Sequence, residues 1–226
     1  MVGVALALVV ALYLVTSVSR QTHPGAAAEL PAEAPLPSAP VSSALAQQIA
    51  ALDQEIASAT GSARIARQRE KAFLLMQSDR LDLAAVEYQR VAQSTGSAED
   101  WRLAGDLFYD WMSSVDDAGD RAGIAVNAVA AYEQVLELEP DNLGVRTDLA
   151  TAYLNTGSPM QGVTEIKRVL EADSTHLDAN FNYGLMLWRI GRVEQAAAQF
   201  ELVMDLAGEP SEHYTRASEA LRTLQQ

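Results

Sequence analysis

Residues 143–176 read LGVRTDLATAYLNTGSPMQGVTEIKRVLEADSTH and residues 177–210 read LDANFNYGLMLWRIGRVEQAAAQFELVMDLAGEP, two stretches that superimpose at an offset of 34 residues. Leu149, Ala150, Tyr153, Gly157, Gly162, Ile166 and Val169 of the first recur as Tyr183, Gly184, Leu187, Gly191, Ala196, Phe200 and Val203 of the second. In the first stretch Leu143, Leu149, Ala150 and Tyr153, then Val163, Ile166, Val169 and Leu170, fall at helical spacing. Gly157 and Gly191 stand where the first helix of each stretch must stop, because glycine accepts the left-handed backbone that closes a helix. Ser158-Pro159 then supplies a cap and a helix-starting proline. A single helical pair cannot bury its apolar face alone, so a period of this length predicts helix-turn-helix units stacked on one another.

These positions resemble the tetratricopeptide repeat, whose pattern sets small residues where the two helices of a unit touch and larger ones where successive units touch. The resemblance reaches further back in the chain. Trp101, Ala104, Gly105 and Phe108 fit the first helix of a preceding unit, and Ala128, Tyr132, Val135 and Pro140 fit its second helix and closing turn. Ala72 and Leu75, then Ala84, Tyr88 and Val91, fit a more degenerate unit before that. The expected fold is all-α, a tetratricopeptide-repeat-like helical solenoid of about four units. They occupy residues 61–97, 98–142, 143–176 and 177–210, with a capping helix at 211–226. Ser211 is a good N-cap for that last helix, and Glu212, Arg216, Glu219 and Arg222 give it the polar outer face a solenoid end requires.

One unit departs from the period. Between Trp101 and Ala128 stand 11 residues more than the repeat spacing allows, around 113–122, where Asp116, Asp117, Gly119 and Asp120 cluster. The expectation is a longer loop between the two helices, or an extended first helix followed by a loop. Carboxylates suit calcium, but the alternating ligand spacing and closing bidentate Glu of a calcium loop are missing, so a solvated loop is expected.

The amino-terminal part has a different character. Residues 2–18 carry no charge and are almost wholly aliphatic, with Thr16 and Ser17 as the only aliphatic hydroxyls. Such a run, within 1–19, reaches the lower end of bilayer-spanning length and predicts an N-terminal transmembrane helix. A cleaved signal peptide is the alternative, although no basic residue precedes the run. Residues 20–43 hold Pro24, Pro31, Pro35, Pro37 and Pro40 among alanines, which predicts a semi-stiff extended spacer. In residues 44–60, Leu45, Ile49, Leu52 and Ile56 form an amphipathic stripe of two heptads. Its plain reading is a helix lying on the first repeat, and homodimerisation through 45–56 is the alternative. Arg20 alone would set the repeats in the cytoplasm by the positive-inside rule. The plan as a whole resembles bacterial membrane-anchored repeat proteins, including repeat-bearing cytochrome c maturation factors. That resemblance implies an inner-membrane, single-pass protein with its repeats on the periplasmic side.

Thirty acidic residues against sixteen basic ones give a formal charge of −14, which opposes binding to nucleic acid or to anionic lipid. Enzyme signatures are missing from the sequence. Cysteine is absent, no glycine-rich phosphate loop occurs, and His23, His176 and His213 are scattered, so no catalytic residue, cofactor or metal is expected. The expected role is to hold protein partners, as a membrane-anchored scaffold docking on a membrane protein complex or as a chaperone-like factor for unfolded or apo polypeptides. In the resembled family, partners lie in a concave groove lined by the first helix of each unit. Carried onto this sequence, those positions are Glu99, Arg102, Asp106, Tyr109 and Asp110, then Gly144, Thr147, Thr151, Leu154 and Asn155, then Asp178, Phe181, Leu185, Trp188 and Arg189. Of these, Arg102, Asp106, Tyr109, Asn155, Phe181, Leu185, Trp188 and Arg189 are the candidate protein-binding residues, aromatic and Arg side chains being the usual interface anchors. For Trp188 the competing role is contact with the cap. The lysine–asparagine clamp that some relatives use for carboxyl-terminal peptides has no lysine here, and Asn155, Asn182 and Arg189 substitute for it poorly.

Overall fold

A computed structural model describes residues 41–224. Ten α-helices follow one another there: α1 Ser43–Ser58, α2 Gly61–Gln77, α3 Leu81–Thr95, α4 Ala98–Ser113, α5 Ala118–Leu138, α6 Leu143–Tyr153, α7 Pro159–Ala172, α8 Leu177–Arg189, α9 Val193–Ala207 and α10 Glu212–Leu224. The pairs α2/α3, α4/α5, α6/α7 and α8/α9 are the four units, and α10 closes the stack. The anchor expected at 1–19 and residues 20–40 of the spacer lie outside the described residues. Among the described residues no helix is long and apolar enough to cross a membrane.

Each unit is held by a close approach of its two helices, and the repeated small residues are what permit it. A Cβ built on Gly105 of α4 would stand 2.6 Å from Tyr132 Cε1 of α5, and one on Gly184 of α8 would stand 2.6 Å from Phe200 Cε1 of α9. In the middle unit the same two positions are Ala150 and Ile166, a larger residue facing a narrower one. Here the glycine moves to the second helix, where a Cβ on Gly162 would meet the Ala150 carbonyl oxygen at 2.4 Å. Ala150, Ile166, Ala196 and Phe200 are all fully buried.

The helix ends follow from local chemistry, with two differences from expectation. Gly96 and Gly191 have φ of +64° and +77°, the left-handed backbone that only glycine adopts freely. Gly157 is not among the positive-φ glycines, and α6 instead ends through tight i to i+3 backbone bonds at Leu154, Asn155 and Thr156. Ser158 precedes Pro159 at the start of α7, but its hydroxyl makes no capping bond. Ser211 does cap α10, accepting from the Tyr214 amide at 3.1 Å.

The 11-residue excess in the second unit corrects the long-loop expectation. It extends the helices, α4 to 16 residues and α5 to 21, against 13 and 15 in the fourth unit. Only residues 114–117 connect them. Asp117 is the N-cap of α5, its Oδ1 accepting from the Gly119 amide at 2.8 Å and the Asp120 amide at 3.0 Å. Those two backbone bonds hold its carboxyl below the usual range. The overhang is stable because it buries its own apolar side chains, Trp111, Met112 and Ile124, each 3% exposed.

At the amino-terminal end α1 lies on α2. Leu45 and Leu52 are buried and Ile49 packs into the first core, so three of the four stripe residues are engaged within the chain. A homodimer through 45–56 would first have to strip α1 from its own stack. Lys71 of α2 bridges Asp53 of α1 at 2.7 Å and the buried Glu87 of α3 at 3.1 Å. The first and second units are tied by Asp100, 5% exposed, which accepts both Arg69 bonds at 2.9 and 2.7 Å and the Thr95 hydroxyl at 2.7 Å. At the other end Ala217, Ala220, Leu221 and Leu224 of α10 cover a core of Phe181, Leu187, Phe200 and Val203.

Candidate functional site

The first helices of the second, third and fourth units line a cavity of about 350 Å³. Arg102 and Tyr109 come from α4, Tyr132 from α5, Gly144, Thr147, Asp148 and Thr151 from α6, His176 from the turn before α8, Asp178 and Asn182 from α8, and Arg216 from α10. The lining is polar, with two aromatic walls. Helical spacing explains it: residues 144, 147, 148 and 151 share one face of α6, flanked by the buried Val145, Leu149 and Ala152.

Most of the polar groups hold one another. The Tyr132 hydroxyl donates to Asp106 Oδ1 at 2.9 Å, and Arg102 Nε lies 3.9 Å from Asp106 Oδ2. Asn182 Nδ2 donates to Thr151 Oγ1 at 3.1 Å across the unit boundary, and Thr147 Oγ1 donates back to the Leu143 carbonyl. Asp178 meets the cap helix, with His213 Nε2 at 3.1 Å and Arg216 Nη1 at 3.8 Å. Arg216 also lies over the Phe181 ring, 4.5 Å from its centroid. Asp148 differs: it makes no hydrogen bond and no ion pair within the described residues.

This crowding of carboxylates and rings perturbs the acids. Burial, followed by the Asp106 charge, pushes the Asp148 carboxyl up to about 6, with Arg102 and His176 opposing and Asp178 adding. Burial and then Asp106 raise Asp110 as well. Burial raises the Tyr109 phenol, with Asp148 and Asp110 adding, and burial with Asp106 and Asp148 raises that of Tyr132.

The eight sequence candidates divide between this cavity and other places. Arg102 and Tyr109 line it, and Asp106 stands at its edge through Tyr132. Asn155 lies in the turn after α6, and Arg189 is exposed at the last residue of α8. Phe181, Leu185 and Trp188 pack in the last core with α10, Phe181 against Phe200 at 5.5 Å between ring centroids. Sequence reasoning missed Asp148, His176 and Arg216 as lining residues. For Asp148 a signal existed, a carboxylate next to the core position Leu149 with no basic residue three or four positions away on its helix.

A polar recess shared by the first helices of successive stacked pairs is a feature of an α-solenoid. Residues 147–207 match the tetratricopeptide repeat family profile. The described fold resembles a crystal structure of MamA protein, with TM-score 0.51 and 15% identity over 70% of this chain and 84% of that one. It also resembles the C-terminal part of a TPR repeat-containing protein from Cytophaga hutchinsonii, with TM-score 0.51 and 14% identity over 80% of this chain and 67% of that one. In sequence the chain is 27% identical over 92 residues to BBSome complex member bbs-4 of Caenorhabditis elegans, covering 41% of this chain. The match spans only 19% of that relative's length. Residues 147–207 are thus similar in sequence to tetratricopeptide repeats, and the described helices share the fold of such repeats. Such repeats are interaction modules, typically without catalysis of their own.

Proposed function

We propose that this protein is a non-enzymatic scaffold held at the bacterial inner membrane by residues 2–18, with its repeats on the extracytoplasmic side. It docks on a membrane protein complex as an accessory subunit or assembly factor. The uncharged aliphatic run followed by a proline-rich spacer supports the membrane part of this reading. The cavity between α4, α6 and α8 carries the docking part. A receptor for unfolded chains needs an apolar lining, whereas Arg102, Thr147, Asp148, Thr151 and Asn182 offer charge and hydrogen bonds, which suits a defined protein surface. The worm relative is itself named as a member of a complex, in agreement with a subunit role.

The experiment is a mild-detergent pull-down with the full chain, read by mass spectrometry and compared with a chain starting at Ser43. A partner retrieved by both forms puts recognition on the repeats, and a partner retrieved by the full chain alone puts it in the first 42 residues. Failure of either form to retrieve a reproducible protein refutes the scaffold reading. Reporter fusions at the carboxyl end decide the side of the membrane, and activity of a cytoplasm-restricted reporter refutes the extracytoplasmic placement.

A further inference from the structure

We propose that the cavity between α4, α6 and α8 receives a single cationic side chain, lysine or arginine, of the partner polypeptide, with Asp148 as its counter-ion. This deepens the scaffold reading and rests on it. Three features of the cavity carry the inference.

The first is the space itself. The residue that opens it is Gly144, and the aligned positions in the neighbouring units are Glu99 and Asp178. A Cβ on Gly144 would meet nothing closer than Asn142 Oδ1 at 3.4 Å, so neither core contact nor backbone geometry demands glycine there. A side chain the length of its neighbours' would project into the cavity.

The second is an imbalance of partners. Arg102 stands by Asp106, Arg216 is stacked on Phe181 beside Asp178, and His213 is bonded to Asp178. His176 uses Nδ1 to accept the Ala179 amide as the cap of α8. Asp148, half-buried in the cavity wall, is left with no hydrogen bond and no ion pair among the described residues. An ionised carboxylate partly withdrawn from water without a partner is costly, and the complement it lacks is a cation. Tyr109 and Tyr132 supply ring surfaces for the aliphatic stem and charge of such a side chain.

The third is the exclusion of simpler cations. No cluster of three or more His, Asp or Glu arranged to hold a metal ion occurs among the described residues. A side chain presented by a polypeptide needs only one carboxylate, because the rest of its binding comes from the surrounding surface. The overall charge of −14 attracts a basic partner to the same place.

The test uses the full chain in mild detergent and an array of immobilised ten-residue peptides of Gly, Ser and Ala with one central Lys, Arg, Glu, Leu or Ala. Wild type is expected to be retained roughly tenfold better on the Lys and Arg peptides than on the Glu and Ala peptides, as one charge-assisted contact allows. Asp148→Asn and, independently, Gly144→Gln are expected to abolish that preference while circular dichroism and thermal melting show both variants folded. Absence of a Lys or Arg preference in wild type, a preference for Glu, or a preference that survives Asp148→Asn overturns the proposal. The same variants are run in the partner pull-down. A defined partner retrieved without any charge preference on the array sinks the cation inference and leaves the scaffold standing. Retrieval of no partner together with no preference sinks both.

Discussion

Replacing Asp148 by asparagine is expected to stabilise the protein at neutral pH and to leave its stability unchanged in acid. The Asp148 carboxyl is raised from an ordinary 3.8 to about 6, chiefly because burial penalises its charged form. In the folded state it therefore holds its proton more tightly than in the unfolded chain. Stability from this group is complete below about pH 4 and is lost as pH rises through about 6. A shift of about two units at about 1.4 kcal/mol each sets a ceiling near 3 kcal/mol. The cavity admits water, so an effect of about 2 kcal/mol is expected at pH 7.5. Asparagine removes the charge, keeps the shape, and already occupies the aligned position as Asn182. For a chain of this size that gain raises the thermal midpoint by about 4–8 °C. The assay is thermal unfolding of wild type and Asp148→Asn by circular dichroism, at pH 7.5 and again at about pH 4. A variant that melts at or below wild type at pH 7.5, or that gains equally at both pH values, refutes the claim that the carboxylate is half-buried and unpaired.

Gly105→Ala puts a Cβ 2.6 Å from the buried Tyr132 ring and should cost about 1–3 kcal/mol in urea unfolding, whereas Gly123→Ala meets nothing within 4 Å and should gain about 0.5–1 kcal/mol in the same assay. Asp117→Ala removes two bonds to the first turn of α5 and should lower stability by about 1 kcal/mol, with faster amide exchange confined to the start of that helix. Asp100→Ala leaves Arg69 and Thr95 without their common acceptor and should cost about 2–3 kcal/mol, measured by chemical denaturation. Ending the chain at Gly208 removes α10 and uncovers Phe181 and Trp188, which should produce concentration-dependent association in light scattering.

The frame of the fold was legible because the small residues that let helices touch recur at a fixed period, and because Gly191 and Ser211 act locally at helix ends. The inserted segment was legible only as the alternative of an extended first helix, and the lengthening of α5 was not, since Asp116, Asp117, Gly119 and Asp120 have the composition of a loop. What made it helix was the Asp117 cap together with burial of Trp111 and Ile124, and that burial depends on two helices meeting at a distance. The site was partly legible for the same reason. Arg102 and Tyr109 could be found by aligning positions in the repeat. Phe181, Leu185 and Trp188 occupy aligned positions too, yet the angle at which α10 arrives decides that they lie under a cap, and no period encodes that angle. Asp148 aligns with Leu103 and Asn182, so periodicity is silent about it, and its partial burial arises from walls contributed by four other helices.

The exchange of Gly and aromatic in two units for Ala and Ile in the third has a bearing on how the chain avoids confusing its own repeats. An α6 paired with α9 would drive the Ala150 methyl into the Phe200 ring, at the separation of 2.6 Å that a Cβ on Gly184 would show. An α8 paired with α7 would face Ile166 with a glycine and leave a hole where the ring belongs. Each second helix thus admits its own first helix and rejects the one next door. Sequences similar enough to stack are kept dissimilar enough at one contact to prevent slippage by a whole unit, so the order of the stack is written into the shape of single side chains.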